Sequence, residues 1–127
     1  MWTGEGESKI LYVQTHGVND PGRCATPFFL AASAAAMEAE VGIYFTMYGP
    51  TLLQKDIIDK IGPKGDQGQK LSYFIKQATD LGVRLYVCQP SLDLNDLQMD
   101  QLIDGIEMIG GAAFNDLAIT ADAVISF

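Results

Sequence analysis

Apolar residues fall in five short runs along this chain, separated by turn residues and by segments with helical spacing. Lys9 to His16 (KILYVQTH) is an apolar run that ends in polar residues and reads as a first strand. Gly17 to Arg23 (GVNDPGR) is packed with turn formers and reads as a loop. Thr26 and Pro27 read as N-cap and first helical residue. The Ala-rich helix that follows is expected to reach about Glu40. Val41 to Tyr48 (VGIYFTMY) reads as a second strand, broken by Gly49 and Pro50, with a short helix near Thr51 to Ile58. Ile61 to Gln69 is a Gly-rich connector. Leu71, Phe74, Ile75 and Ala78 follow the i, i+3, i+4, i+7 spacing of a helix with one buried face, and Gly82 stands at its C′ position.

Val83 to Val87 is the third apolar run, and it stops at Cys88. Pro90 cannot continue an inner strand, so a turn is expected there, with Gln89–Asn95 as a loop. Asn95 and Gln98 suggest a weak capping box. The stripe Met99, Leu102, Ile103 and Ile106 then predicts a helix closed by Gly105. Glu107 to Ile109 reads as a short strand, Gly110–Gly111 as a turn and Ala112 to Ile119 as a short helix. Ala123 to Phe127 reads as a closing strand, expected at the centre of the sheet. Strands alternating with helices imply an α/β fold: one domain with a mostly parallel five-stranded sheet between helices, layered as in flavodoxin-like folds. That domain is expected over residues 9–127, behind a loose polar tail at 1–8.

Length and composition fit one domain with a real core, since 48% of the 127 residues are hydrophobic. No apolar run approaches the roughly 20 residues of a membrane span. The opening MWTGEGESK has neither the basic nor the apolar region of a signal peptide, so a soluble cytoplasmic protein is the default expectation. A net charge of −8 argues against general nucleic-acid binding. The charge is uneven. Five of the eight basic residues (Lys55, Lys60, Lys64, Lys70, Lys76) lie in one central stretch, and seven acids but no Lys or Arg follow Arg84. Such segregation reads as two solvated faces, or as patches that meet in an oligomer.

The two cysteines do not make a disulfide framework. With a single His, a four-ligand zinc site would need a carboxylate, and no metal is expected. Neither GxGxxG nor GxxxxGK[ST] follows the first strand, and no organic cofactor is expected. What remains is thiol chemistry or inert packing. Cys88 stands where a strand of an α/β sheet ends, outside the carboxyl ends of the strands where ligands bind. A thiol there can be acidified by backbone N–H groups, a helix N-terminus or a cation, and its thiolate can attack a sulfane sulfur. Against this, free Cys is among the most buried residue types. Cys24, at the entry to the Ala-rich helix, could be a second acceptor, a resolving thiol or a packing residue. His16 could activate a thiol as base or cation, although a lone His commonly serves structure. Asn19, Gln89 and Ser91 could donate hydrogen bonds to a bound sulfur or oxyanion, or serve only as turn residues. Tyr44, Tyr48 and the Phe residues read as core.

The ordered series KILYVQTHG, the loop with Asp20–Pro21, the Ala-rich helix and VGIYFTMYGPTLL resembles the first half of the DsrE/DsrF-like sulfur-relay family. LGVRLYVCQPSLDL, LIDGIEMIGGAAF and ADAVISF resemble its second half. The resemblance covers about Lys9 to Phe127. It implies a compact α/β fold, homo-oligomers (trimers or hexamers) and cytoplasmic sulfur trafficking between donor and acceptor proteins. It also implies that Cys88 matches the cysteine that carries sulfur as a persulfide in the active members. Cys24 is not carried over by the resemblance.

The resulting expectation is a sulfur carrier or sulfurtransferase-like protein in which Cys88 holds the persulfide, Cys24 assists and His16 tunes the local charge. The same residues would serve an enzyme and a passive carrier alike. One rival is a thiol–disulfide or peroxide-handling protein that uses Cys24 and Cys88 as a pair, which needs their Cα atoms within roughly 7 Å. A second rival is a non-catalytic oligomeric subunit or small-molecule binding module with both thiols buried.

Overall fold

The computed structural model describes residues 2–4 and 8–127. Five strands, β1 (Lys9–Gln14), β2 (Glu40–Phe45), β3 (Arg84–Val87), β4 (Ile106–Met108) and β5 (Ala123–Ser126), form one all-parallel sheet in the order β4-β3-β2-β1-β5. Four helices join them: α1 (Thr26–Ala36), α2 (Leu71–Asp80), α3 (Gln89–Leu94) and α4 (Gly111–Thr120). The expected α/β architecture is the observed one. Alternation along the strands divides the core. Tyr12, Ile43, Phe45, Leu85 and Val87 pack towards α1 and α2 on one face. Leu11, Tyr44 and Tyr86 pack with Leu117 of α4 on the other. Because β2 is covered on both sides, Val41 to Phe45 are all buried, as a continuous apolar run predicts for an inner parallel strand.

Several boundaries differ from expectation, each for a local reason. Thr26 is the first residue of α1 and not its cap. The N-cap is Ala25, since Cys24 and Ala25 already have right-handed helical backbone after a 3-10 turn at Pro21–Arg23. α1 stops at Ala36, short of Glu40. Glu38 takes a left-handed φ of 71°, and the Ala39 amide donates back to Ala34 at 3.1 Å. α2 ends in the same way at Gly82, with φ 89° and Val83 donating to Ala78 at 3.1 Å. Gln89–Leu94 is a helix, not a loop, because Pro90 sits in its first turn where no amide is needed. It ends at Asp96, with φ 53° and Leu97 donating to Leu92 at 2.9 Å. Asn95 therefore closes a helix and does not open one.

The helix expected up to Gly105 shrinks to one 3-10 turn at Met99–Gln101, capped reciprocally by Gln98 and Gln101. Its apolar residues still face inward, with Leu102 buried and Met99, Ile103 and Ile106 packed on the core. Gly49–Leu53 is a 3-10 turn in place of the helix expected to Ile58. β2 ends at Phe45, where Met47 takes a left-handed φ of 55°. β5 lies at the sheet edge and not at its centre, leaving Val124 and Ile125 exposed. The expected loose tail falls partly outside the described residues. Of those described, Trp2 donates its indole N–H to the Leu117 carbonyl at 3.2 Å.

Candidate functional site

β3 delivers Cys88 to the carboxyl edge of the sheet, on the face that carries Tyr44, Tyr86 and Leu117. Cys88 is the N-cap residue of α3, so the turn that ends the strand also brings Ser91 back over the sulfur. Ser91 Oγ lies 2.8 Å from Cys88 Sγ. The same oxygen accepts the Met47 amide at 2.9 Å and lies 3.1 Å from Thr46 Oγ1. Thr46 Oγ1 is itself 3.7 Å from the sulfur. The left-handed turn at Met47 is locked to α3 twice, by Ser91 and by Asn95, whose Nδ2 donates to the Met47 carbonyl at 2.7 Å. A non-Gly residue with this backbone needs such over-determination.

Cys88 is 8% exposed, and burial alone pushes its thiol up. Hydrogen bonds from the Ser91 hydroxyl, the Tyr44 hydroxyl, the Ser91 amide and the Thr46 hydroxyl outweigh that cost, so the thiol ends below its ordinary value. Tyr44 shows the reciprocal effect: burial first, then donation to Cys88, pushes its phenol up and keeps it protonated. Its ring stacks on Phe114 of α4 with centroids 4.4 Å apart. Beside the sulfur lies a cavity of about 510 Å³, walled by residues that include Tyr44, Gln89, Pro90, Met108 and Gly111. The first turn of α4, capped at Gly110 without a side-chain bond, forms part of that wall.

Of the residues singled out in the sequence, the fold brings together Cys88, Ser91 and Gln89. Ser91 bonds the sulfur. Gln89 lines the cavity, with its amide N–H donating to Asp93 Oδ1 at 2.8 Å. Cys24, His16 and Asn19 stand elsewhere. Cys24 is fully buried in the core of the opposite sheet face, and burial pushes its thiol up. The sheet separates it from Cys88, and both thiols are free. His16 sits beyond the end of β1 with Nδ1 3.3 Å from Thr15 Oγ1, and Asn19 is exposed in the loop that follows. Neither lines the Cys88 cavity. Sequence reasoning missed Thr46 and the second role of Tyr44, which is core and sulfur donor at once. The available signal was the hydroxyl of Thr46, which interrupts the apolar run at its carboxyl end. Among the described residues, no group of three or more His, Cys, Asp and Glu could hold a metal ion. Among the same residues, no helix is long and apolar enough to cross a membrane.

Comparison with known proteins places this geometry in context. The sulfur carrier protein DsrE2 of Allochromatium vinosum is 27% identical, over 91% of this chain and 96% of that protein. An uncharacterized protein of Methanocaldococcus jannaschii is 24% identical over 84% of this chain, which spans 38% of that protein's length. Among solved structures, the ychN protein of E. coli superposes with a TM-score of 0.77 at 19% identity, covering 94% of this chain and 99% of that one. A protein of unknown function from Methanobacterium thermoautotrophicum gives a TM-score of 0.61 at 13% identity, with 94% and 97% covered. A family model matches residues 8–127, nearly the whole chain, and by that match the chain belongs to the DsrE/DsrF-like family.

Proposed function

We propose that this protein is a sulfur carrier in which Cys88 accepts sulfane sulfur as a persulfide and hands it to a partner protein. The observation that carries this reading is the set of donors converging on one sulfur. Ser91 Oγ stands 2.8 Å from Sγ, the Tyr44 and Thr46 hydroxyls are nearby, and the thiol is acidified in spite of burial. Donors that stabilise a thiolate also stabilise the anionic end of a persulfide, so the site suits both the empty and the loaded carrier. Membership of the DsrE/DsrF-like family and the likeness to a protein named as a sulfur carrier support the same reading. A homo-oligomer, trimer or hexamer, belongs to this proposal, and the exposed Ile119, Val124 and Ile125 supply apolar surface for it. So does a cytoplasmic setting, where free thiols persist.

Incubation with N-acetylcysteine methyl ester persulfide, desalting and cyanolysis test the proposal. About one thiocyanate per chain is expected from wild type and Cys24→Ser, and none from Cys88→Ser. Equal release from all three, or none from wild type, would overturn it. The paired-cysteine redox reading has no comparable support, because the two thiols face opposite sides of the sheet.

A further inference from the structure

The cavity at Cys88 is far larger than a sulfur atom, and its walls say what else enters. Among the described residues, none in the wall apart from Cys88 can carry a charge near neutral pH, and much of the surface is apolar through Tyr44, Pro90, Met108 and Ile109. The chain has eight Lys and Arg, yet none of them lines this space, and neither does His16. Behind the wall, Gln89 is held by the Asp93 carboxylate, which adds negative charge. The opposing influences are the hydroxyl and amide donors to the sulfur, among them the Ser91 amide in the first turn of α3, and the first turn of α4, which is equivalent to roughly half a positive charge. Those hydrogen-bond donors are neutral groups and a thiolate carries a full negative charge, so the site stays net negative before any sulfur donor arrives. Gln89, Pro90, Met108, Gly110 and Gly111 are exposed at the mouth, so that excess acts on an approaching ion and is screened by added salt.

We propose that the Cys88 cavity selects sulfur donors by charge, admitting organic persulfides with an apolar flank, which react in their protonated and uncharged form, and turning away inorganic anions such as thiosulfate. This rests on the carrier reading. In the transfer, the Cys88 thiolate attacks the outer sulfur of a protonated persulfide R–S–SH. The new Sγ–S bond forms as the donor S–S bond breaks, and R–S⁻ leaves with the electron pair. The product is Cys88–S–SH, with no net oxidation. Thiosulfate would deliver the same sulfur only by bringing a dianion beside the thiolate and releasing sulfite into the cavity.

The charge filter can be tested without any sulfur chemistry. Neutral iodoacetamide and anionic iodoacetate alkylate Cys88 in the Cys24→Ser protein at low salt, and their rate ratio is compared with that of free N-acetylcysteine methyl ester. The expected ratio favours iodoacetamide at least tenfold more in the protein, and the preference shrinks as salt rises. A ratio equal to the free thiol's, or one favouring iodoacetate, overturns the proposal. A second measurement uses Met108→Lys, which places a cation in the wall. The ratio of sulfur loading from thiosulfate to loading from N-acetylcysteine methyl ester persulfide should rise about tenfold. Equal acceleration of both donors overturns it as well. If the alkylation preference holds but the organic persulfide never loads Cys88, the carrier reading fails and the charge filter stands.

Discussion

Ser91 has one hydroxyl proton, and its neighbours fix where that proton goes. Its oxygen accepts the Met47 amide and lies within bonding distance of Thr46 Oγ1 and of Cys88 Sγ, and because an ionised sulfur can only accept, the hydroxyl hydrogen is directed at Cys88 once the thiolate forms. A hydrogen bond to a charged group is worth about 1.5–3 kcal/mol. Ser91→Ala should therefore slow iodoacetamide alkylation of Cys88 at pH 7.5 by roughly tenfold or more, read by peptide mass against time. In wild type the alkylation rate should rise with pH along a curve whose midpoint lies below 9.0, the ordinary value for a thiol, and Ser91→Ala should move that midpoint up. The sign for stability follows. A thiol whose folded value is lowered stabilises the fold fully above its unfolded value, and that contribution is lost as pH falls through the folded value. The urea-midpoint advantage of wild type over Cys88→Ala should thus grow from pH 7 towards pH 9.5. A flat difference across that range would contradict the thiolate assignment. Cys24, fully buried and pushed up, should stay unalkylated until the protein unfolds.

Helix ends carry much of the difference between the sequence pattern and the fold. α1, α2 and α3 all finish on a left-handed residue followed by a back-donated amide, yet only α2 uses glycine there. Gly82 is legible in the sequence for that reason, whereas Glu38 and Asp96 look like ordinary helical positions. The strands read well because inner parallel strands are apolar on both faces, so a run such as VGIYF announces itself. α3 was not legible, since six residues with Pro90 second resemble a turn, and it is this helix that brings Ser91 to the sulfur. At Gly82 the space around an added Cβ is open, so Gly82→Ala should cost only the left-handed backbone penalty, about 1–2 kcal/mol in urea unfolding. α4 depends on a single fully buried side chain, Leu117. Leu117→Ala should cost about 2–5 kcal/mol. It should also loosen the wall that α4 gives the cavity, seen as faster exchange of the α4 amides.

At the scale of the whole molecule, the sheet is deep in its middle and thin at its margins. β2 and β1 each pair on both sides, while β4 and β5 pair on one. Amides of β2 should exchange only through global unfolding, and those of β5 through cheaper local opening, in native-state hydrogen exchange. Equal protection in dilute, monomeric protein would contradict that order. The edge position of β5 was illegible because Ala-Val-Ile suits an inner strand as well as an edge that another surface covers. The site itself was half legible. A cysteine at a strand end before proline pointed to Cys88, and Cys24 and His16 were drawn in by their places at a helix entry and a strand end, which do not tell that the sheet puts Cys24 behind a different face.

Intact mass of the folded protein after exposure to N-acetylcysteine methyl ester persulfide tests the central claim most directly. The account predicts a gain of one sulfur atom that dithiothreitol removes, present in wild type and Cys24→Ser and absent in Cys88→Ser. A gain that survives Cys88→Ser, or a loss of two hydrogens abolished by either substitution, would contradict it.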